Sequence, residues 1–191
     1  MLISKGEVIA VPTDTVYGLI CDFYNPDAVN RIFELKNRSQ TKPLVAFCKS
    51  ISDVGSLCKE IPDLFYILAD VFFPGPLTII LKKADIVSKD LTCGFDTIGV
   101  RIPDSKFINQ LMIRLDKPLA SSSANISNLM SFDNAGGVLN TFTGKIPLVI
   151  DGGICPLGLE STVIDLSGNE IKILREGFIK KELLAEFLQK K

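Results

Sequence analysis

Apolar positions along this chain recur with two different spacings, and the changes of spacing mark its elements. Val8–Val11 is a short β-branched apolar run closed by Pro12, which reads as a buried strand. Asn25-Pro26-Asp27 opens a helix, with Asn25 as cap, Pro26 at the first turn and Asp27 at the positive dipole end. Val29, Ile32, Phe33 and Lys36 follow at i, i+3, i+4 and i+7, so Lys36 closes an apolar stripe. Pro43–Cys48 is a second core strand. Ser50 caps a short helix weakened by Gly55, with Asp53 in an N3-like position.

Pro62-Asp63 starts a stronger helix with a stripe of Leu64, Leu68, Val71 and Phe72, stopped by Pro74-Gly75-Pro76. Leu77–Leu81 and Ile98–Ile102 read as strands, the second with Arg101 inside it. Asp104 is placed to cap the next helix, which shows Phe107, Ile108, Leu111, Met112 and Leu115 on one broad face. Pro118–Ser121 returns to a sheet. A helix interrupted by Gly136-Gly137 covers Asn134–Phe142, and Pro147–Asp151 reads as a strand. Ser161–Leu166 and Glu170–Arg175, on either side of Gly168-Asn169, predict an antiparallel hairpin. Leu183, Leu184, Phe187 and Leu188 mark a terminal amphipathic helix, with Lys180, Lys181, Lys190 and Lys191 on its solvated side. βα units followed by a hairpin imply an α/β fold: a single domain over residues 1–191 with a twisted, open, mixed β-sheet flanked by helices.

Composition narrows the chemistry. The 191 residues include no histidine, which excludes a histidine-based triad, an imidazole base and histidine-ligated zinc. Five scattered cysteines form no CxxC pair, and fit reduced thiols in a cytoplasmic protein. The longest uncharged apolar run, Val71–Leu81, contains Pro74-Gly75-Pro76 and is no membrane span. A net charge of -1 argues against non-specific nucleic-acid binding. No GxxxxGK[ST] or GxGxxG is present, which disfavours P-loop and Rossmann sites.

Three polar clusters remain at the ends of apolar runs. Lys36, Arg38 and Lys42 suit a compact polyanion such as a nucleoside triphosphate; a solvated basic helix end is the other reading. Thr13, Asp14 and Thr15 either line a ligand site at a sheet edge or terminate a strand. Ser121–Ser127 offers close backbone approach and short hydrogen bonds, useful around phosphates and equally at home in a turn. Arg101 faces solvent or pairs with an anion.

Taken together, these stretches resemble the YrdC/Sua5 family of L-threonylcarbamoyladenylate synthases. The matching segments are Pro12–Leu19 (PTDTVYGL), Lys36-Asn37-Arg38 (KxR), Lys42-Pro43-Leu44, Pro74–Thr78 (PGP-x-T), Val100-Arg101, Ser123-Ala124-Asn125 (SxN), Glu160–Val163 and Arg175-Glu176-Gly177 (R-x-G). The resemblance implies that L-threonine and bicarbonate give an N-carboxylated threonine, which attacks the α-phosphorus of ATP. Threonylcarbamoyl-AMP and pyrophosphate result, and a downstream tRNA threonylcarbamoyl-transferase complex passes the group to adenosine in tRNAs reading ANN codons. By the same resemblance, Lys36 and Arg38 are the catalytic cations and bind phosphate together with Ser123, Asn125 and Arg175. Thr13 and Arg101 take the threonine side chain and carboxylate, and Tyr17, Lys42 and Ser161 line that pocket. Mg²⁺ enters with ATP as substrate, with no dedicated protein metal site. Such chemistry needs positioning and charge neutralisation more than a protein nucleophile, so the absence of histidine is no obstacle.

From this reading, alanine at Lys36 or Arg38 is expected to abolish turnover with little loss of fold, and alanine at Arg101 to give a threonine-specific defect. Asn128 stands where many relatives have glycine, and the length resembles the single-domain type of the family. The alternative reading is a non-catalytic YrdC-like binder of double-stranded RNA or tRNA; weak tRNA contact is compatible with either. The related hydrogenase-maturation chemistry comes with zinc-finger cysteines that this sequence does not carry.

Overall fold

The computed structural model describes residues 1–37 and 42–188. One mixed sheet of eight strands runs in the order β1-β2-β6-β3-β5-β4-β7-β8. The strands are β1 (Ile9–Val11), β2 (Gly18–Asp22), β3 (Val45–Phe47), β4 (Leu77–Lys82), β5 (Thr97–Arg101), β6 (Leu119–Ser123), β7 (Thr162–Asp165) and β8 (Lys172–Arg175). The pairs β3/β5 and β4/β7 are parallel and the other five pairs antiparallel. The helices are α1 (Pro26–Leu35), α2 (Ile51–Leu57), α3 (Asp63–Phe72), α4 (Lys106–Leu115), α5 (Ala135–Phe142) and α6 (Lys181–Leu188). None of the described helices is long and apolar enough to cross a membrane.

The two faces of the sheet are unequally covered. Residues of α1, α2, α3, α5 and α6 pack with Leu19, Ala46, Ile79, Val100 and Ala120 into the main core. The neighbouring positions on the same strands face the other way. There Ile9, Val11, Ile20, Phe47 and Leu119 meet Ile108 and Met112 of α4, with Ile3 from a short 3₁₀ turn. Because side chains alternate along a strand, β1, β2, β3 and β6 serve both cores, and their outward positions are fixed once the main core is filled.

Local chemistry explains most helix starts. The side chains of Asn25, Ser50 and Asn134 accept from the backbone N–H groups of Ala28, Asp53 and Gly137. Asp53 also accepts from the Lys49 amide at 3.0 Å, one residue upstream of the usual capping-box partner. Several expectations need correction. Gly18–Asp22, which the sequence reading assigned to no element, is strand β2; burial on both faces hides the alternation that would reveal it. Residues 147–151 are not a regular strand and make a single bridge, Val149 to Ala10. Ser105, not Asp104, caps α4, accepting from Ile108. In α3 the buried face is Leu64, Phe65, Leu68 and Ala69, while Val71 is exposed. In α4 only Ile108 and Met112 are buried, so its apolar face is narrower than expected. The β7/β8 hairpin forms as predicted, its turn held by Asp165 Oδ1, which accepts from the Ser167 amide at 2.8 Å. Asn128 adopts a left-handed φ of 68°, a conformation that asparagine tolerates where glycine would be easiest.

Candidate active site

Beyond the part of the second face that α4 covers, its inward positions turn small and polar: Gly18 on β2, Ser121 and Ser123 on β6, Thr78 on β4 and Arg101 on β5. They line a cavity of about 120 Å³ closed by Thr13, Thr15, Val16, Tyr17, Pro43, Phe47, Glu160, Ser161 and Arg175. At the liquid share of about 30 Å³ per water that space corresponds to roughly four waters, room for one small solute rather than a whole nucleotide. Close packing keeps the floor free of bulk: a Cβ on Gly18 would sit 3.4 Å from Ser121 Oγ, and one on Gly99 3.2 Å from Thr78 Cγ2.

Arg101 forms one wall and is buried. Its sequence-level ambiguity resolves toward an anion: Nη2 donates to Asp14 Oδ1 at 2.6 Å. Nη1 donates to Thr15 Oγ1 at 3.0 Å and Nε to the Gly75 carbonyl at 3.0 Å. The guanidinium carbon lies 5.7 Å from the centre of the Phe47 ring. Burial lowers the pKa of this group, the Asp14 carboxylate raises it again, and Arg175 nearby lowers it. Among the described residues three of its five N–H groups are thus bound to protein, leaving one on each terminal nitrogen.

Arg175 sits at the mouth, part-exposed, and reaches back across the β7/β8 end. Nε donates to the Ser161 carbonyl at 3.1 Å and Nη2 to Ser161 Oγ at 3.2 Å. Nη1 pairs with Glu160 Oε2, while Glu160 Oε1 accepts from Ser131 Oγ at 2.5 Å. Ser161 Oγ is also 2.8 Å from Thr78 Oγ1. Gly177 makes this arrangement possible: a Cβ there would fall 2.2 Å from the Glu160 carbonyl oxygen.

A second cluster adjoins the cavity through Ser123. Lys36 caps the end of α1, and its stem is buried with the stripe that the heptad pattern indicated. Its ammonium donates to the carbonyls of Ser123 and Asn125 and to Asn125 Oδ1, the last two at 2.8 Å. Ser123 Oγ donates to the same Asn125 Oδ1 at 2.6 Å. Lys36 therefore ties α1 to the β6 turn. Lys42 is exposed on the rim and donates to Asn128 Oδ1 at 2.9 Å, outside the cavity lining. Arg38 lies outside the described residues.

Thr13 and Tyr17 line the cavity with their hydroxyls engaged in the protein. Thr13 Oγ1 donates to the Val16 carbonyl at 2.7 Å and accepts from the Thr15 amide at 3.0 Å, which shapes the turn. Tyr17 OH donates to the Gly153 carbonyl at 2.9 Å and accepts from the Gly152 amide at 3.1 Å. Of the sequence candidates, Thr13, Tyr17, Arg101, Ser123, Ser161 and Arg175 meet in one cavity; Lys36 and Asn125 stand behind Ser123. Sequence reasoning placed Asp14 and Thr15 in a polar cluster without a role, and did not single out Thr78 or Glu160, although each lies inside a motif it quoted. The signal was their place in those motifs; the pairings needed the fold.

A family model described as "Sua5_yciO_yrdC: Telomere recombination" matches residues 1–177. The chain belongs to the Sua5/YciO/YrdC family. A Pyrococcus abyssi relative named threonylcarbamoyl-AMP synthase is 42% identical over 175 residues, covering 92% of this chain and 52% of that protein. A Bacillus subtilis protein of the same name is 37% identical over 182 residues, covering 95% of this chain and 53% of the relative. The solved structure of P. abyssi Sua5 complexed with L-threonine superposes with a TM-score of 0.95 at 40% identity, covering 98% of this chain and 55% of that one. The chain thus spans about half the length of these curated relatives of the Sua5/YciO/YrdC family.

Proposed function

We propose that this chain makes threonylcarbamoyl-AMP from L-threonine, bicarbonate and ATP. The observation that carries the reading is the small cavity walled by a buried arginine that keeps one N–H on each terminal nitrogen. That fork suits the two oxygens of an amino-acid carboxylate. The names of the relatives and the threonine complex of the P. abyssi protein support the same substrate.

In this scheme the threonine amine and bicarbonate combine to an N-carboxylate with loss of water. A carboxylate oxygen then bonds to the α-phosphorus of ATP as the bond to the bridging oxygen breaks, and pyrophosphate leaves. The amino acid occupies the cavity, with Thr13, Tyr17 and Ser161 around it and Lys42 on the rim. The phosphates, with their Mg²⁺, lie across the mouth between Arg175 and the Ser123–Asn125 turn. Lys36 holds that turn in place and lends it positive charge, and Arg38 supplies a further cation. The protein's contribution is positioning and charge neutralisation. The unstable mixed anhydride goes to a tRNA threonylcarbamoyl-transferase complex in the cytoplasm, with at most weak tRNA contact by this chain.

Pyrophosphate release, with L-threonine and bicarbonate each present or withheld, tests the reading. Release that requires both, with threonylcarbamoyl-AMP identified by mass, is expected. Nucleotide binding without release under any combination would overturn it in favour of a carrier or an RNA-binding protein.

A further inference from the structure

The pair Asp14–Arg101 is an unusual expenditure of buried charge. Asp14 and Arg101 are each 5% exposed, and they join segments 87 residues apart. Asp14 Oδ2 is buried and has no hydrogen-bond partner among the described residues. A buried ion pair is weak as a stabilising device, and a carboxylate with one oxygen unmatched is weaker still. A neutral pair would suit packing at least as well. Asp14 is itself placed with care: its carbonyl accepts from the Leu157 amide at 3.1 Å, which ties it to the segment around Leu157.

We infer that Asp14 is a positioning residue for the substrate carboxylate, acting through Arg101. This rests on the amino-acid reading of the cavity proposed above. Asp14 takes one Nη2 hydrogen, Thr15 takes one on Nη1, and the Gly75 carbonyl takes the Nε hydrogen. Three acceptors on three edges of a planar group fix both its plane and its rotation. The two remaining N–H groups, one per terminal nitrogen, are then directed by geometry rather than by the ligand. The carboxylate also offsets the guanidinium charge, so the cavity binds an anion without carrying a large net field of its own. Asp14 touches no substrate in this arrangement; it determines where the fork is when substrate arrives.

The test compares wild type with Asp14→Asn in steady-state pyrophosphate release. Asparagine keeps the shape and an acceptor oxygen but removes the charge. The expected result is a rise of about tenfold or more in KM for L-threonine, with KM for ATP within about threefold of wild type. Arg101→Lys, which supplies charge without the fork, should show the same selectivity, and the double variant should be no worse than the poorer single variant. A parallel rise in both KM values, or a threonine KM within about twofold of wild type, overturns the assignment. Should Asp14→Asn not fold, Thr15→Val removes only the Nη1 acceptor and is read by the same two criteria. If wild type itself releases no pyrophosphate with threonine and bicarbonate, the functional reading fails; if wild type does and the variants lack selectivity, only the role of Asp14 fails.

Discussion

Lys36→Met separates a structural lysine from a displayed one. Methionine keeps most of the apolar stem that continues the α1 stripe and removes only the ammonium. Three acceptors lose their donor: the Ser123 carbonyl, the Asn125 carbonyl and Asn125 Oδ1. The last retains Ser123 Oγ at 2.6 Å and the Ser123 carbonyl retains the Asn125 amide at 3.0 Å, so the Asn125 carbonyl is the one left to find water. At about 1–3 kcal/mol for an unsatisfied buried group, the loss is about 1–3 kcal/mol. In a chain of this size about 1 kcal/mol moves Tm by roughly 2–4 °C, so a fall on the order of 2–12 °C is expected in a thermal melt followed by circular dichroism. Lys42→Met is the control, since Lys42 is exposed and bonds one side chain, and it should change stability by less than about 0.5 kcal/mol. A Lys36→Met protein melting within about 2 °C of wild type would refute the reasoning, and would return Lys36 to the role of a cation held ready for ligand alone.

Gly177→Ala should lower the urea midpoint by the equivalent of about 1–3 kcal/mol, because the new Cβ meets the backbone of Glu160 and Ser161 rather than a yielding side chain; an unchanged midpoint would show that the 175–178 segment moves freely. Arg175→Ala should raise KM for ATP at least tenfold and leave the threonine KM within about threefold, and the reverse pattern in the pyrophosphate assay would move Arg175 to the amino-acid side. Burial raises the thiol pKa of Cys21 and Cys48 and pushes that of Cys58 up to about 12. With folded values above the unfolded value of about 8.5, these thiols favour the native state below that pH, and the contribution fades as pH rises through the folded values. Each costs about 1.4 kcal/mol per pH unit in that window, so Cys58→Ala should lose stability less steeply than wild type in urea titrations between about pH 9 and 11. Identical slopes would contradict the burial of Cys58 as described.

The sheet and its helices were largely legible because local signals agreed with tertiary need. Asn25, Ser50 and Asn134 stand where caps are required, and the stripe through Val29, Ile32 and Phe33 is buried as its spacing implies. The failures have physical causes. β2 is buried on both faces and shows no alternation, and 147–151 has the composition of a strand but a single bridge to Ala10. For the site, the motifs located the residues and the resemblance gave them roles, yet neither revealed what each side chain holds. Arg101 finds its anion in Asp14, 87 residues earlier, and Arg175 finds Glu160 across a hairpin end. Pairings of that kind depend on which strand positions share a face, and face parity becomes known only when the sheet order is known. Lys36 shows the limit most directly: its place on the buried stripe was readable, but the carbonyls that receive it lie 87 and 89 residues away.

The strand order also sets a timetable for synthesis. β6 lies between β2 and β3, so Cys21 cannot meet Ala120, nor Ala46 meet Ala120, until the chain has grown through its sixth strand. A ribosome adding about 5–20 residues per second leaves the inner edge of β2 without its partner for roughly 5–20 s. During that time an apolar strand with unpaired backbone groups is open to any passing edge. The nascent protein is therefore most exposed to aggregation before β6 is made, when nothing of the β7/β8 side exists. Arg175, which completes the cavity mouth, lies in the last strand of the sheet to be made, so substrate cannot template the early steps and can only stabilise a sheet that has already closed.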